Sequence, residues 1–194
     1  MKKILFATHN PSKVSELIRL TSSYLEISTL ADLNYTQEIP ETGETLEENA
    51  FQKAQTIYNE FSSPCFSDDS GLFINALGGE PGVHSAHYSG SRDHSSNIQF
   101  VLDKLKGISQ RQAYFKTVFC LVLNSEEHFF FEGTVQGQIA SEPKGSGGFG
   151  YDPIFIPEGY TATFGTLDAA VKARLSHRAR ATQQLIKFLA ETYK

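Results

Sequence analysis

The 194 residues have room for one domain, at most divided into two lobes, so a multidomain assembly is excluded. Hydrophobic residues make up 40% and charged residues 20%, with 15 Phe and 8 Tyr, which excludes a disordered or low-complexity chain. The 17 Lys and Arg against 22 Asp and Glu leave a formal charge of -5, the wrong sign for gripping a nucleic acid polymer through a broad basic surface. An anionic ligand must therefore be met by a few placed cations.

Residues 2–8 read as a buried strand. The apolar run inside it, residues 4–7, is too short for a signal-peptide core or for the roughly 20 residues of a membrane span, so a soluble cytoplasmic protein with no membrane partner is expected. Residues 10–20 follow as a helix, with Val14, Leu17, Ile18 and Tyr24 at helical spacing, and residues 25–30 as a second strand. Glu41, Thr42 and Gly43 form a turn before a long helix over 45–61, opened by a Thr45/Glu48 capping box and striped by Leu46, Ala50, Ala54, Ile57, Tyr58 and Phe61. Residues 64–68 predict a strand that ends in Asp69, Ser70 and Gly71, with 72–75 extended beyond it. Gly78, Gly79, Pro81 and Gly82 mark a loop, and 93–106 a helix carrying Ile98, Val101, Leu102 and Leu105.

Residues 113–123 and 128–140 are aromatic and β-branched around the break at 124–127, which predicts a long antiparallel hairpin. From Asp168 onward the chain reads as helix, with Ala181, Leu185, Phe188 and Leu189 on one face. Cys65 and Cys120 sit in apolar stretches without a CxxC pair and read as reduced core thiols. The order predicts an α/β fold: an elongated mixed sheet with a long hairpin, flanked by helices, in two lobes around a central cleft.

Five segments carry chemistry. Thr8, Asn10, Lys13 and Glu16 fall where the first strand passes into the first helix, a place for a phosphate cradle built on helix amides and side-chain donors; the bland alternative is that Asn10 caps the helix and Lys13 is solvated. Asp68 and Asp69 are adjacent, and strand alternation sends one carboxylate into a site while the other braces a turn. Glu41, Glu44, Glu47 and Glu48 offer a second hard oxygen for Mg2+, although Glu47 and Glu48 suit the start of a helix as charges alone.

Gly145, Gly147 and Gly150 match GxGxxG, but Tyr151 to Phe155 behind them are strand-like, so the dinucleotide-binding reading is rejected. The glycines indicate backbone held close either to a ligand or within a strained turn. Phe149 among them suits stacking on a flat base. His84, His87 and His94 lack the spacing of a structural zinc site. Lys172, Arg174, Ser176, His177, Arg178 and Arg180 concentrate positive charge near the end, as a binding surface or as a solvated helical face.

Together these segments resemble the inosine and xanthosine triphosphate pyrophosphatase family, the house-cleaning enzymes of the nucleotide pool. The resemblance runs through Thr8-x-Asn10-x-x-Lys13-x-x-Glu16, Glu41-Thr42-Gly43, Glu48-Asn49-Ala50-x-x-Lys53-Ala54, Asp68-Asp69-Ser70-Gly71-Leu72, Gly79-x-Pro81-Gly82-Val83-x-Ser85-Ala86, Gly147 to Phe155 and Ser176-His177-Arg178. It implies Mg2+-dependent hydrolysis of non-canonical purine triphosphates (ITP, dITP, XTP) to the monophosphate and pyrophosphate by a homodimer. By the same motifs, Thr8, His9, Asn10, Pro11, Ser12, Lys13, Lys53 and Ser70 meet the substrate around its phosphates. Glu41 and Asp69 hold the metal, Asp69 also acting on the attacking water. Phe149, Gly150, Tyr151, Asp152, Lys172, Ser176, His177 and Arg178 surround the base.

The chain departs from the family pattern at Gly165-Thr166, where Ala-Glu is usual, at Ala173 in place of Asn, and at His87 in place of Arg. These positions fall on the rim of the implied base pocket and on the implied dimer surface. A related pyrimidine pyrophosphatase of the Maf-like kind would not need the Ser176-His177-Arg178 block. A nucleotide-binding regulator without turnover would not need Glu41 with Asp69.

Overall fold

The computed structural model describes residues 2–21 and 25–192; Tyr24 of the expected first-helix stripe lies outside them. The chain runs β1 (Lys2–Phe6), α1 (Pro11–Thr21), β2 (Leu25–Thr29), α2 (Leu46–Phe61), β3 (Cys65–Ile74), β4 (Pro81–Gly82), α3 (His94–Lys104), β5 (Gln112–Val122), β6 (His128–Ile139), β7 (Phe155–Pro157), α4 (Ala169–Leu175) and α5 (His177–Thr192). The sheet order is β2-β1-β3-β5-β6-β7, with β4 attached to β3. β1 is parallel to both β2 and β3, because a helix carries the chain back over the sheet between each pair. β4 and β7 pair antiparallel with β3 and β6, so the sheet is mixed, as expected.

The described residues fall into two compact units. One draws on Met1–Asp69, Thr117–Gly133 and Arg178–Lys194, the other on Ser70–Lys116 and Thr134–His177. The first is built on Phe6, Phe66 and Phe119, all fully buried: Phe6 stacks on Phe66 at 4.7 Å, and Phe119 meets both edge-on. Each such ring stabilises the unit by about 1.5–3 kcal/mol through burial alone. Leu17 of α1 and Ala181, Leu185 and Leu189 of α5 close this core, whereas Ile18, expected in the α1 stripe, is 44% exposed. The second unit packs Leu72, Ile98, Val101, Leu105, Phe115, Phe155 and Phe164 around its own core.

Three elements differ from the sequence expectation. Tyr151 to Phe155, read as strand-like, instead form a 3-10 turn over Asp152–Ile154, and β7 begins only at Phe155. β3 does not stop at Asp69 but continues unbroken to Ile74. The two aspartates have long-range partners, described below, and so have no need to fold the backbone back onto themselves. Gly71 belongs to the strand because Gly82 of β4 lies against it: a Cβ there would stand 2.4 Å from the Gly82 carbonyl oxygen. The C-terminal helix is likewise two helices, interrupted where Ser176 adopts φ −62°, ψ 152°. Both cysteines are free and buried, and burial pushes each thiol up to about 12.

Candidate active site

In the first unit, α1, α2, β3 and the start of α5 each contribute charged side chains to one buried cluster. Asn10 caps α1, its Oδ1 accepting from the backbone N–H of Ser12 (3.0 Å) and Lys13 (3.2 Å). Pro11 carries no N–H, and the next two amides are taken by Asn10, so the cap reading of Asn10 is observed. Lys13 is not solvated. Its ammonium lies 3.0 Å from Asp68 Oδ1 and its side chain is 13% exposed. Thr8 is buried and its hydroxyl accepts from Asn10 N–H. His9 is exposed, stacks on Tyr35 and lies 2.8 Å from the Gln37 carbonyl, tying this turn to the loop that leads to Glu41.

The capping box places α2: Thr45 accepts from Glu48 N–H, and the Glu48 carboxylate accepts from the N–H of Glu44 and Thr45. Glu48 is thereby a cap, as its position in the helix suggested. The buried face of α2 carries Asn49 and Lys53 among Leu46, Ala50, Ala54 and Ile57. Asn49 joins two parts of the site, its Oδ1 accepting from Gly43 N–H (2.8 Å) and its Nδ2 donating to Asp69 Oδ2 (3.1 Å). Lys53 lies between carboxylates, hydrogen-bonded to Glu41 and 3.6 Å from Asp69 Oδ1. Thr117 Oγ1 donates to the Asp69 carbonyl.

Asp68 points the other way from Asp69, as strand alternation requires. It is wholly buried and receives Arg178 through Nη2 (3.2 Å) and Nε (3.4 Å), while Arg178 Nη1 donates to Glu16 (2.5 Å). Burial pushes the Asp68 carboxyl up, but the Lys13 and Arg178 charges outweigh it and hold it well below the ordinary carboxylate range. Burial lowers the Lys13 ammonium. It also raises Asp69 against the pull of Lys53 and Lys13. For Lys53, burial acts downward, yet Asp69 and Glu41 raise it overall. Lys13, Lys53 and Arg178 thus face Glu16, Glu41, Asp68 and Asp69, three cations against four carboxylates.

In the second unit, Asp152 is the organising group. Its Oδ2 accepts from Phe149 N–H (2.7 Å) and Lys172 Nζ (2.6 Å), and that ammonium stands 5.1 Å from the Phe149 ring centroid. Gly148 has φ +75° and a Cβ there would lie 2.0 Å from the Asp152 carboxylate. The glycine run is therefore held close to its own chain. Gly165, one of the departures, also lacks room for a Cβ, which would meet the Lys144 carbonyl oxygen at 2.6 Å.

His177 stacks on Phe115 at 4.8 Å, and Ser176 is fully buried at the end of α4. Tyr151 is a core residue whose hydroxyl donates to the Ser85 carbonyl, while Gly150 beside it has open space at its Cα. Ser70 is half-buried on β3. Arg178, in the first unit, has a guanidinium that is 1% exposed and engaged by Asp68 and Glu16. Sequence reasoning named Asn49, Asp68 and Glu16 in the motifs but did not give them these partners. The signal for Asn49 was an amide on an otherwise apolar stripe, which a helix buries only when its hydrogen bonds are met.

The chain is thus a mixed α/β protein with a buried carboxylate–ammonium cluster in its first unit and a Gly-rich turn bearing Phe149 in its second. The comparisons agree: the Ham1 family model matches residues 4–188, and the chain belongs to that family. It is 44% identical to the dITP/XTP pyrophosphatase of Porphyromonas gingivalis over 191 residues, covering 97% of this chain and 98% of the relative. It is also 44% identical to the dITP/XTP pyrophosphatase of Bacillus subtilis over 193 residues, with 97% and 98% covered. A solved HAM1 protein from Coxiella burnetii superposes with a TM-score of 0.90 at 36% identity, covering 99% of this chain and all of that one. The Ham1 protein of Staphylococcus aureus gives 0.87 at 34%, with 97% and 98% covered.

Proposed function

We propose that the chain hydrolyses non-canonical purine nucleoside triphosphates, ITP, dITP and XTP, to the monophosphate and pyrophosphate. The observation that carries the reading is Lys53 held between Glu41 and Asp69, with Lys13 on the neighbouring Asp68. Such a cluster places both signs of charge where a polyphosphate and a hard cation must be received together. The names of the relatives supply the substrate class.

Mg2+ fits the donor set. Glu41 and Asp69 are hard oxygen donors, and the cluster has one carboxylate more than it has cations. Among the described residues no three His, Cys, Asp or Glu side chains converge as a metal cage. Two carboxylates, with water and phosphate oxygens completing the shell, is the ordinary way this ion is held. When bound, the metal neutralises phosphate charge. Asp69, fixed by Asn49 and Thr117, orients the attacking water, while Lys53 and Lys13 offer donors to the phosphates.

In the second unit Phe149 offers a face for the purine, and the Lys172 ammonium, set by Asp152, donates to a keto oxygen at purine position 6. Adenine presents an amino donor at that position, turned toward the ammonium, so this contact is lost and two donors face each other. The enzyme works as a homodimer in the cytoplasm on this reading. Pyrophosphate release across a panel of triphosphates with Mg2+ tests it: ITP, dITP and XTP are favoured over ATP by about 10²-fold or more in kcat/KM. Equal turnover of ATP, or inosine diphosphate with free phosphate as the main products, refutes it. Sedimentation of the purified chain checks the dimer.

A further inference from the structure

Lys13 and Glu16 lie on the same helix, three residues apart, yet they are joined by a second route. Lys13 Nζ meets Asp68 Oδ1, Asp68 Oδ2 accepts from Arg178, and Arg178 Nη1 donates to Glu16 Oε2. The signs alternate along this path, which leaves α1, crosses β3 and the first turn of α5, and returns to α1. Glu16 and Arg178 are both buried, and none of the four groups is a proposed metal ligand. Because Arg178 lies against Asp68 while also holding Glu16, Asp68 keeps Oδ1 for Lys13. A guanidinium otherwise favours both oxygens of one carboxylate, gripped in parallel.

The geometry points to Glu16 as a positioning residue for Lys13: it draws Arg178 to one side of Asp68 and so leaves the other side to the substrate-facing ammonium. The inference rests on the proposed function for its kinetic consequence but not for its structural one. Without the Glu16 charge, Arg178 turns onto both oxygens of Asp68 and Lys13 loses its fixed place. The consequence falls on triphosphate binding in general and not on the choice of base.

Glu16→Gln and Glu16→Ala test this by two routes. In the first, the folded proteins receive a short pulse of acetic anhydride, and modification of Lys13 relative to Lys53 is read by peptide mass spectrometry. The ratio rises by roughly threefold or more in both variants, as a released ammonium equilibrates with solvent. In the second, KM for ITP and for XTP rises about tenfold together, the loss expected when one charged contact to the phosphates is misplaced, with kcat within about twofold.

An unchanged Lys13-to-Lys53 ratio overturns the inference, as does a fall in kcat at constant KM, the mark of a role in folding alone. A change in the ITP-to-XTP preference at constant labelling also overturns it, assigning Arg178 to the base instead. If Glu16→Ala does not fold, Glu16→Gln, nearly the same shape, carries the comparison. Absence of pyrophosphate release from the unmutated protein refutes the proposed function, and the labelling ratio then decides the Glu16 assignment on its own.

Discussion

Asp68→Asn removes the charge that joins Lys13 to Arg178. The carboxylate is fully buried, with Lys13 at 3.0 Å and Arg178 at 3.2 and 3.4 Å. The amide keeps the shape and one acceptor oxygen, so the change isolates the charge. Arg178 is then left with Glu16 and Lys13 with the charge of Asp69, and breaking a buried ion pair from one side costs about 3–5 kcal/mol. At about 2–4 °C per kcal/mol for a chain of this length, the thermal midpoint falls by roughly 10 °C.

The sign of the pH dependence follows from the lowered Asp68 carboxyl. A group depressed in the folded state stabilises fully above its unfolded value, about 3.9, and loses that contribution as the pH falls toward its folded value. The gap between wild type and Asp68→Asn is therefore constant at neutral pH and narrows below about pH 4. Scanning calorimetry from pH 8 to pH 3 checks both, with Glu26→Gln in the exposed Lys3–Glu26 pair as a control that leaves the midpoint unmoved. A midpoint for Asp68→Asn within about 2 °C of wild type at pH 7 would refute the reasoning.

The other expectations concern chemistry and access. Asp69→Asn keeps the fold and lowers turnover at least about 10²-fold, since it removes a metal-binding charge and the orienter of water together; steady-state kinetics at saturating Mg2+ check it, and near-normal turnover withdraws the role. Lys172→Met narrows the preference for ITP over ATP by roughly 10-fold or more by damaging the ITP reaction, which kcat/KM on both substrates measures. The Cys65 and Cys120 thiols, pushed up to about 12 by burial, do not react with a thiol-specific disulfide reagent at pH 8 in the native protein, and both react once guanidinium unfolds it. Thr45→Ala opens the capping box that orients Asn49 and Lys53 and costs about 1 kcal/mol of stability, read as a shift in the urea midpoint.

Local rules are written in neighbouring residues, and for that reason the capping box at Thr45, the apolar stripe of α2, the hairpin around 124–127 and the Asp93 start of α3 were all legible before any coordinates. Lys13, Glu41 and Asp69 stood out in the sequence as candidate charges beside bland alternatives, and Lys53 entered only through the family resemblance. Which charge meets which was not legible. Asp68 and Arg178 are 110 positions apart and Glu16 and Arg178 are 162 apart, so their pairing depends on how α1, β3 and α5 pack. A basic run near the end of a chain looks the same whether its arginine faces a base or closes a buried ion path. Only the tertiary structure, by packing α1, β3 and α5 together, showed Arg178 between Asp68 and Glu16; and by satisfying Asp68 and Asp69 from other elements it also carried β3 past the point where the sequence by itself would have turned.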